Sequence, residues 1–260
     1  MRVIRSETKA EAREQFPWNS PQWQNAARKN PGLAHFFDNI DSFVELPEGV
    51  SKLRGLVLQL AARGKLVEQS TKEGDANDAI KLITEERDRL VESEEIRKQK
   101  KLPPITEDDI LHSVPDSWTW TRLGEIVDYN GRGKVKSEDI NPNDWLLDLK
   151  DIEKHTSKLL QQSPFKHSPS KSTKTQFLSG DVLYGKLRPY LNKVIVADED
   201  GYCTTEIVPL RIYCEVDPNF LKYLLRRPDF LNHVNELTYG INLPRLGADD
   251  ARNVPIPLPP

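Results

Sequence analysis

The stretch Gly180-Asp-Val-Leu-Tyr-Gly-Lys-Leu-Arg-Pro-Tyr-Leu-Asn-Lys193 organises the second half of this chain. It predicts a β-strand at residues 181–184, a turn, and a second strand that continues into residues 194–196. The turn carries two cations and an aromatic ring: Lys186, Arg188 and Tyr190. Such side chains on a rigid hairpin suit a surface that meets a phosphate backbone. The alternative is an ordinary hairpin with solvated charges, since basic turns are common on protein surfaces.

Composition limits what the whole chain does. The 260 residues are 37% hydrophobic and 30% charged, with a net charge of −3. A slightly acidic chain has no global nucleic-acid signature, so any contact with DNA must come from local patches. The two cysteines, Cys203 and Cys214, lie in apolar, strand-like sequence and are expected to be free thiols in a reducing compartment. No signal peptide and no apolar run of about 20 residues is present, which predicts a cytoplasmic protein.

The first hundred residues read as helical and irregular. Residues 1–49 are irregular, with a short helix expected at 5–15 and with Trp18 and Trp23 pinning the segment. Helices are predicted at residues 50–62 and from 75 to about 101, where two prolines follow. The longer helix would span on the order of 40 Å, as a spacer or assembly element. The residues expected to pack between helices are Val50, Leu53, Val57, Leu60, Ile80, Ile83 and Leu90.

Residues 105–260 alternate between strand and helix signals. Strands are predicted at 117–121, 145–149 and 202–213, and the strand-rich pattern continues through 123–129. Residues 165–175 are expected to form a mobile basic loop. Asp217-Pro218 is typical of a helix start, and residues 254–260 predict an edge strand or extended tail. The fold class is therefore α+β: an N-terminal long-helix pair, or spacer, followed by a mixed α/β domain.

Catalytic motifs are scarce in this sequence. It has no glycine-rich turn for a dinucleotide or S-adenosylmethionine and no Walker-type loop. Its five histidines are scattered without ligand spacing. Asp181 and Glu206 near Lys186 leave a metal-dependent nuclease open as an alternative, and an adaptor built on the helical arm is another. The lack of cofactor motifs favours a binding protein.

Four segments in this order resemble the specificity (S) subunits of type I restriction–modification systems. The resemblance runs from about Leu46 to the end of the chain, and the combination is more specific than any single piece. The segments are Leu53-Arg-Gly-Leu-Val-Leu-Gln-Leu-Ala-Ala-Arg-Gly-Lys-Leu-Val67, Trp118-Thr-Trp-Thr-Arg-Leu-Gly-Glu-Ile126, the opening stretch from Gly180 to Lys193, and Pro255-Ile-Pro-Leu-Pro-Pro260.

This resemblance implies a non-catalytic reader of double-stranded DNA. Residues 105–260 would be a target-recognition domain that reads one half of a bipartite site. Residues 50–104 would be a helical spacer for dimerisation and for docking methyltransferase (M) subunits. The chain itself would hold no cofactor: M subunits would bring S-adenosylmethionine, and restriction (R) subunits would bring ATP- and magnesium-dependent activity.

The sequence departs from the family pattern in carrying one recognition domain where an S subunit usually has two. The chain is expected to be a fragment or a half-size subunit, and half-size subunits would form a homodimer through their helices.

The candidate DNA face combines four basic segments of the recognition domain. Arginine and lysine suit guanine edges and phosphates, and asparagine suits adenine. The recognisable hairpin is expected to position the duplex, whereas residues 130–145 and 155–175 are expected to read bases. The predicted DNA-binding residues are Arg132, Lys134, Lys136, Lys166, Lys171, Lys174, Lys186, Arg188, Tyr190, Lys193, Tyr239, Asn242 and Arg245.

Overall fold

The computed structural model describes residue 46 and residues 49–70, 72–167, 171–214 and 216–260. The chain divides into two compact units, Met1–Arg54 and Gly55–Pro260. The helix expected at residues 5–15 and the tryptophans at 18 and 23 lie outside the described residues. None of the helices in the described ranges is long and apolar enough to cross a lipid bilayer.

Two helices open the described part of the chain, α1 at Gly49–Ala62 and α2 at Ala76–Glu92. The carboxylate of Asp75 caps α2 by accepting a hydrogen bond from the backbone N–H of Asn77 at 2.7 Å. The prediction of one helix from 75 to about 101 is wrong. The chain leaves the helix at Ser93, and Glu94 takes a left-handed conformation with φ of 60°. A non-glycine residue in that region breaks the helical hydrogen-bond ladder.

Apolar residues of the two helices differ in their environment. On α2, Ile83 and Leu90 are buried in a core that also contains Ile126. Each such side chain contributes about 1.5–3 kcal/mol relative to leaving it exposed. On α1, Val50 and Val57 are exposed. The remaining residues of the predicted packing set are half-buried: Leu53, Leu60 and Ile80.

Eleven strands follow within the described residues, and they form three sheets. The sheet orders are β1-β11, β2-β10-β7-β8 and β3-β6-β9-β4-β5. Their bounds are β1 Thr119–Arg122, β2 Val127–Tyr129, β3 Lys134–Val135, β4 Trp145–Leu147, β5 Ser163–Pro164, β6 Lys174–Phe177, β7 Val182–Gly185, β8 Val194–Val196, β9 Gly201–Cys203, β10 Ile207–Ile212 and β11 Pro255–Leu258.

The α+β fold class is confirmed, and so is the central hairpin. β7 and β8 pair antiparallel, with Leu183 opposite Ile195 and Tyr184 opposite Val194. β7 is buried along its length because β10 covers its other edge. The C-terminal segment is a buried strand that pairs with β1, which resolves the choice between strand and tail.

Two local expectations are wrong. Residues 123–129 were expected to continue the strand pattern, but Leu123–Ile126 is a single helical turn, α3, before β2 begins. α2 packs against this turn. The basic loop expected at 165–175 ends early, because residues from Lys174 onward form β6 and pair with β3 and β9. Cys203 is buried in β9 of this sheet, and Cys214 is half-buried.

Three further helices complete the fold, α4 at Pro218–Leu224, α5 at Pro228–Glu236 and α6 at Ala248–Asn253. Asp217 caps α4 as predicted, accepting from the N–H groups of Asn219 and Phe220 at 2.7 and 2.9 Å. α5 packs against the hairpin, with the rings of Tyr184 and Phe230 edge to face at 6.4 Å. α5 also packs against the turn that follows β7.

Candidate nucleic-acid interface

Two loops that are distant in sequence form one surface. We call residues 186–190 and 239–246 the paired loops. The N–H of Arg188 donates to the carbonyl of Pro244 at 2.7 Å, and the N–H of Leu246 donates to the carbonyl of Lys186 at 3.1 Å. The first loop leaves β7 and the second leaves α5, so the packing of these two elements sets the distance between the loops. The structure therefore joins the predicted residues of the turn and those of 239–245.

The first loop has an unusual backbone. Arg188 and Asn192 are both left-handed, with φ of 50° and 52°, on either side of a tight turn at Pro189–Leu191. Non-glycine residues in this region are uncommon and persist where the surroundings hold them. Here the side-chain hydroxyl of Ser157 donates to the carbonyl of Asn192 at 2.7 Å. The turn presents Tyr190 with its ring exposed to solvent.

The second loop is closed like a small hairpin. Tyr239 and Arg245 exchange two backbone hydrogen bonds of 3.1 and 2.9 Å. Gly240 has φ of +97°, which a side chain would strain. Tyr239 and Asn242 are exposed. The loop thus holds a defined shape at the surface.

The cations of the paired loops, and Lys193 just after the first loop, differ in how far their side chains are exposed to solvent. Lys186 and Arg188 are half-buried, and Arg188 donates to the carbonyl of Asn242 at 3.3 Å. Arg245 forms an ion pair with Glu206 at 2.9 Å, and this partner raises the pKa of its guanidinium. Lys193 donates its ammonium to the carbonyl of Leu149 at 2.6 Å, and burial lowers its pKa. Lys186 and Arg188 are therefore the better candidates for contact with phosphate.

A second basic surface lies at the β3–β6 edge. Lys134 and Lys136 are exposed on and just after β3, and Lys171 is exposed before β6. The hydroxyl of Ser137 donates to the carbonyl of Ser172 at 2.6 Å and holds the two segments together. Strand pairing therefore groups three of the predicted lysines. Lys166 is also exposed, with its ammonium donating to the side-chain oxygen of Asn143 at 2.9 Å.

Two predicted DNA contacts do not belong to these exposed surfaces. Lys174 is only 1% exposed, and its ammonium donates to the carbonyl of Ser172 at 2.5 Å. Burial lowers its pKa. Arg132 makes two hydrogen bonds to the carboxylate of Asp181, at 2.9 and 2.7 Å. Lys174 is buried where β6 lies between β3 and β9, and Arg132 is hydrogen-bonded to a buried carboxylate.

The carboxylates of the nuclease alternative are not free to share a metal ion. Asp181 is bound to Arg132, and Glu206 is bound to Arg245. Among the described residues, no three His, Cys, Asp or Glu side chains form a group that could hold a metal ion. The paired arginines supply the positive charge that a metal would otherwise supply.

The chain has relatives among known proteins. Over 82% of its length it is 30% identical to the type I restriction enzyme EcoAI specificity subunit of Escherichia coli. It is 26% identical over 83% of its length to the EcoDI specificity subunit of the same organism. The chain is related to the specificity subunits of type I restriction enzymes. The resemblance drawn from the sequence motifs is thus confirmed.

The match to these specificity subunits is partial. The matched region makes up 37% of the EcoAI subunit and 44% of the EcoDI subunit, so the chain spans less than half of either. The crystal structure of the HsdS subunit from Thermoanaerobacter tengcongensis is 26% identical, with a TM-score of 0.47 over 58% of this chain and 40% of that one. No protein-family model matches.

Sequence reasoning missed one residue of the paired loops. Ile241 stands at the tip of the second loop and is 101% exposed. It lies within the stretch 239–245 that was expected to face DNA, but it was not among the predicted contact residues. The available signal was its place between Gly240 and Pro244, two residues that mark a turn and so expose what lies between them.

Proposed function

We propose that this chain reads one half of a bipartite DNA site within a type I restriction–modification complex. The observation that carries the proposal is the similarity to specificity subunits over 82% of the chain. The paired loops support it, because they group cations, aromatic rings and an amide on one hydrogen-bonded surface. With a net charge of −3 over the whole chain, such local surfaces are where a polyanion would bind.

The two basic surfaces would have different tasks. Lys186 and Arg188 on the paired loops would hold phosphates and fix the register of the duplex. The less family-like segments 130–145 and 155–175 would carry the base readers, with Lys134, Lys136 and Lys171 at their exposed edge. Asn242 has an amide of the kind that pairs with adenine. Arg132 and Lys174 would support the strands behind this surface.

The remaining parts of the chain would serve assembly. Residues 105–260 would form the target-recognition domain, residues 50–104 the spacer, and residues 1–49 a separate N-terminal segment. The exposed Val50 and Val57 suit a contact between helices, either with M subunits or with a second copy of this chain. The chain would be non-catalytic. M subunits would supply S-adenosylmethionine, and R subunits would supply the ATP- and magnesium-dependent steps, inside the cell.

Methylation mapping tests the proposal directly. The chain is co-expressed with its cognate M subunit, and methylated adenines are mapped across the host genome. We expect one recurring sequence to be modified only when both proteins are present. A palindromic site would support a homodimer, and an asymmetric one would indicate a second recognition domain from elsewhere. Methylation that is unchanged when this chain is omitted would refute the proposal.

The alternatives are tested with the same preparations. DNA cleavage by the chain alone with magnesium, lost in Asp181→Ala but not in Asp198→Ala, would establish the nuclease. Stable association with the M subunit without any DNA binding would establish the adaptor. We expect neither result, because Asp181 is bound to Arg132 and the paired loops are exposed.

A further inference from the structure

The tip of the second paired loop is apolar and fully exposed. Ile241 is 101% exposed, and Tyr239, two residues before it, is 61% exposed. Single exposed apolar residues are normal on protein surfaces. Ile241 differs in projecting from a loop tip, where it makes no contribution to a core. Its β-branched side chain is also stiff, with few rotamers to lose on contact.

The loop holds this side chain in place. Tyr239 and Arg245 close its base with two backbone hydrogen bonds, and Arg188 ties it to the first loop through the carbonyl of Pro244. Gly240 permits the left-handed turn that precedes the tip. Little conformational entropy is therefore left for a partner to remove when it binds Ile241.

The surroundings favour a nucleic acid over a protein. Lys186 and Arg188 stand on the neighbouring loop, and within the described ranges neither has an ion-pair partner. The carboxylate that contacts the second loop, Glu206, is already neutralised by Arg245. An apolar tip beside unpaired cations matches DNA, where a hydrophobic base stack lies between two rows of phosphates.

We propose that Ile241 is a wedge that inserts between adjacent base pairs of the bound duplex. The inference rests on the proposed DNA-recognition function and deepens it. Isoleucine is among the apolar residues that unstack a base step in this way, and the resulting kink depends on how easily that step deforms. Ile241 is then a specificity-determining residue without a hydrogen bond to any base. Lys186 and Arg188 hold phosphates beside the opened step.

The test uses the full chain in complex with its M subunits and duplexes that contain the methylation site mapped for that complex. 2-Aminopurine is placed at successive positions, because its fluorescence rises when it unstacks. We expect a rise at one step with the unaltered chain, its loss with Ile241→Ala, and its retention with Ile241→Leu. Affinity for the site should fall roughly tenfold with Ile241→Ala.

Ile110→Ala is the matched control, since Ile110 is 46% exposed and lies outside the paired loops and outside the spacer. It should leave fluorescence and affinity unchanged. If the complex binds DNA but fluorescence rises at no position, the wedge proposal is overturned and the DNA-recognition function is kept. Loss of M subunit binding in Ile241→Ala overturns it in favour of a protein contact. Failure of the unaltered complex to bind DNA refutes the reading function itself, and the wedge with it.

Discussion

The paired loops and a buried cluster around Arg227 use the same kinds of side chain in opposite settings. Arg227 is 0% exposed, with its Nε 2.9 Å from Oδ1 of Asp229 and its guanidinium 6.0 Å from the ring of Trp120. The ring of His112 lies 4.9 Å from that of Trp120. None of the three guanidinium nitrogens has a hydrogen-bond acceptor in suitable geometry, despite the short ion-pair distance. Arg188, in the paired loops, is only half-buried, and its guanidinium donates to the carbonyl of Asn242 at 3.3 Å.

The difference shows where a charge is costly and where it is useful. A buried arginine depends on its one carboxylate, because removal from water penalises the charged form and lowers the pKa of Arg227. At the paired loops water still reaches the cations, so they remain available to a ligand at little cost to the fold. Substitutions in the cluster should therefore alter stability, and substitutions in the loops should alter binding.

Asp229→Ala should have the largest effect. It leaves Arg227 charged and unpaired in the interior, which costs about 3–5 kcal/mol in the free energy of unfolding. Urea denaturation followed by circular dichroism measures the loss. Asp78→Ala is the control, since the Asp78–Lys81 pair is exposed. It should cost less than about 1 kcal/mol. Equal losses of unfolding free energy in the two variants would contradict the difference between buried and exposed charges.

Asp181→Asn should have the next largest effect on the free energy of unfolding. The amide keeps an acceptor for the N–H of Leu178, which now donates to the carboxylate at 2.9 Å, but it removes the charge that pairs with Arg132. We expect a loss of about 1–3 kcal/mol in unfolding free energy, measured in the same way. An unchanged free energy of unfolding would mean that the Arg132 side chain can reach solvent and is available to contact DNA, as the sequence alone predicted.

The double substitution Lys186→Gln with Arg188→Gln should leave stability nearly unchanged and weaken DNA binding. The loss of two phosphate contacts should reduce the slope of log affinity against log salt concentration by about two. Fluorescence anisotropy on cognate and random duplexes, over a series of salt concentrations, measures both. Lys72→Gln, an exposed lysine outside both basic surfaces, is the control. A changed sequence preference would mean that these residues read bases.

The smallest effect should be a pH dependence that originates in the cluster. Burial lowers the pKa of His112, and the charges of Arg227 and Arg63 act in the same direction. As pH falls below about 6.5, His112 therefore becomes protonated in the unfolded chain while it is still neutral in the folded chain. Stability should fall as pH falls through that range. His112→Gln should flatten the dependence, and His167→Gln, at an exposed position, should not.

Short-range features were predictable from sequence because they depend on neighbouring residues. The β7–β8 hairpin follows from strand patterns on either side of a turn, and the start of α4 follows from Asp217 and the proline after it. The end of α2 was missed, because the charged residues after Glu92 are good helix formers and nothing local stops the helix before the left-handed Glu94.

The sequence by itself determined the fold class, the hairpin and the relationship to specificity subunits, since these depend on patterns carried by contiguous residues. Only the tertiary structure decided which charges reach the surface. Lys171 and Lys174 are three positions apart in one basic segment, yet one is exposed and the other buried. The physical reason is that exposure depends on long-range contacts. Strand pairing decides it at Lys174, and the packing of α5 on β7 decides it at the paired loops. Both are made by residues far apart along the chain, and they join the hairpin turn to the loop that carries Ile241.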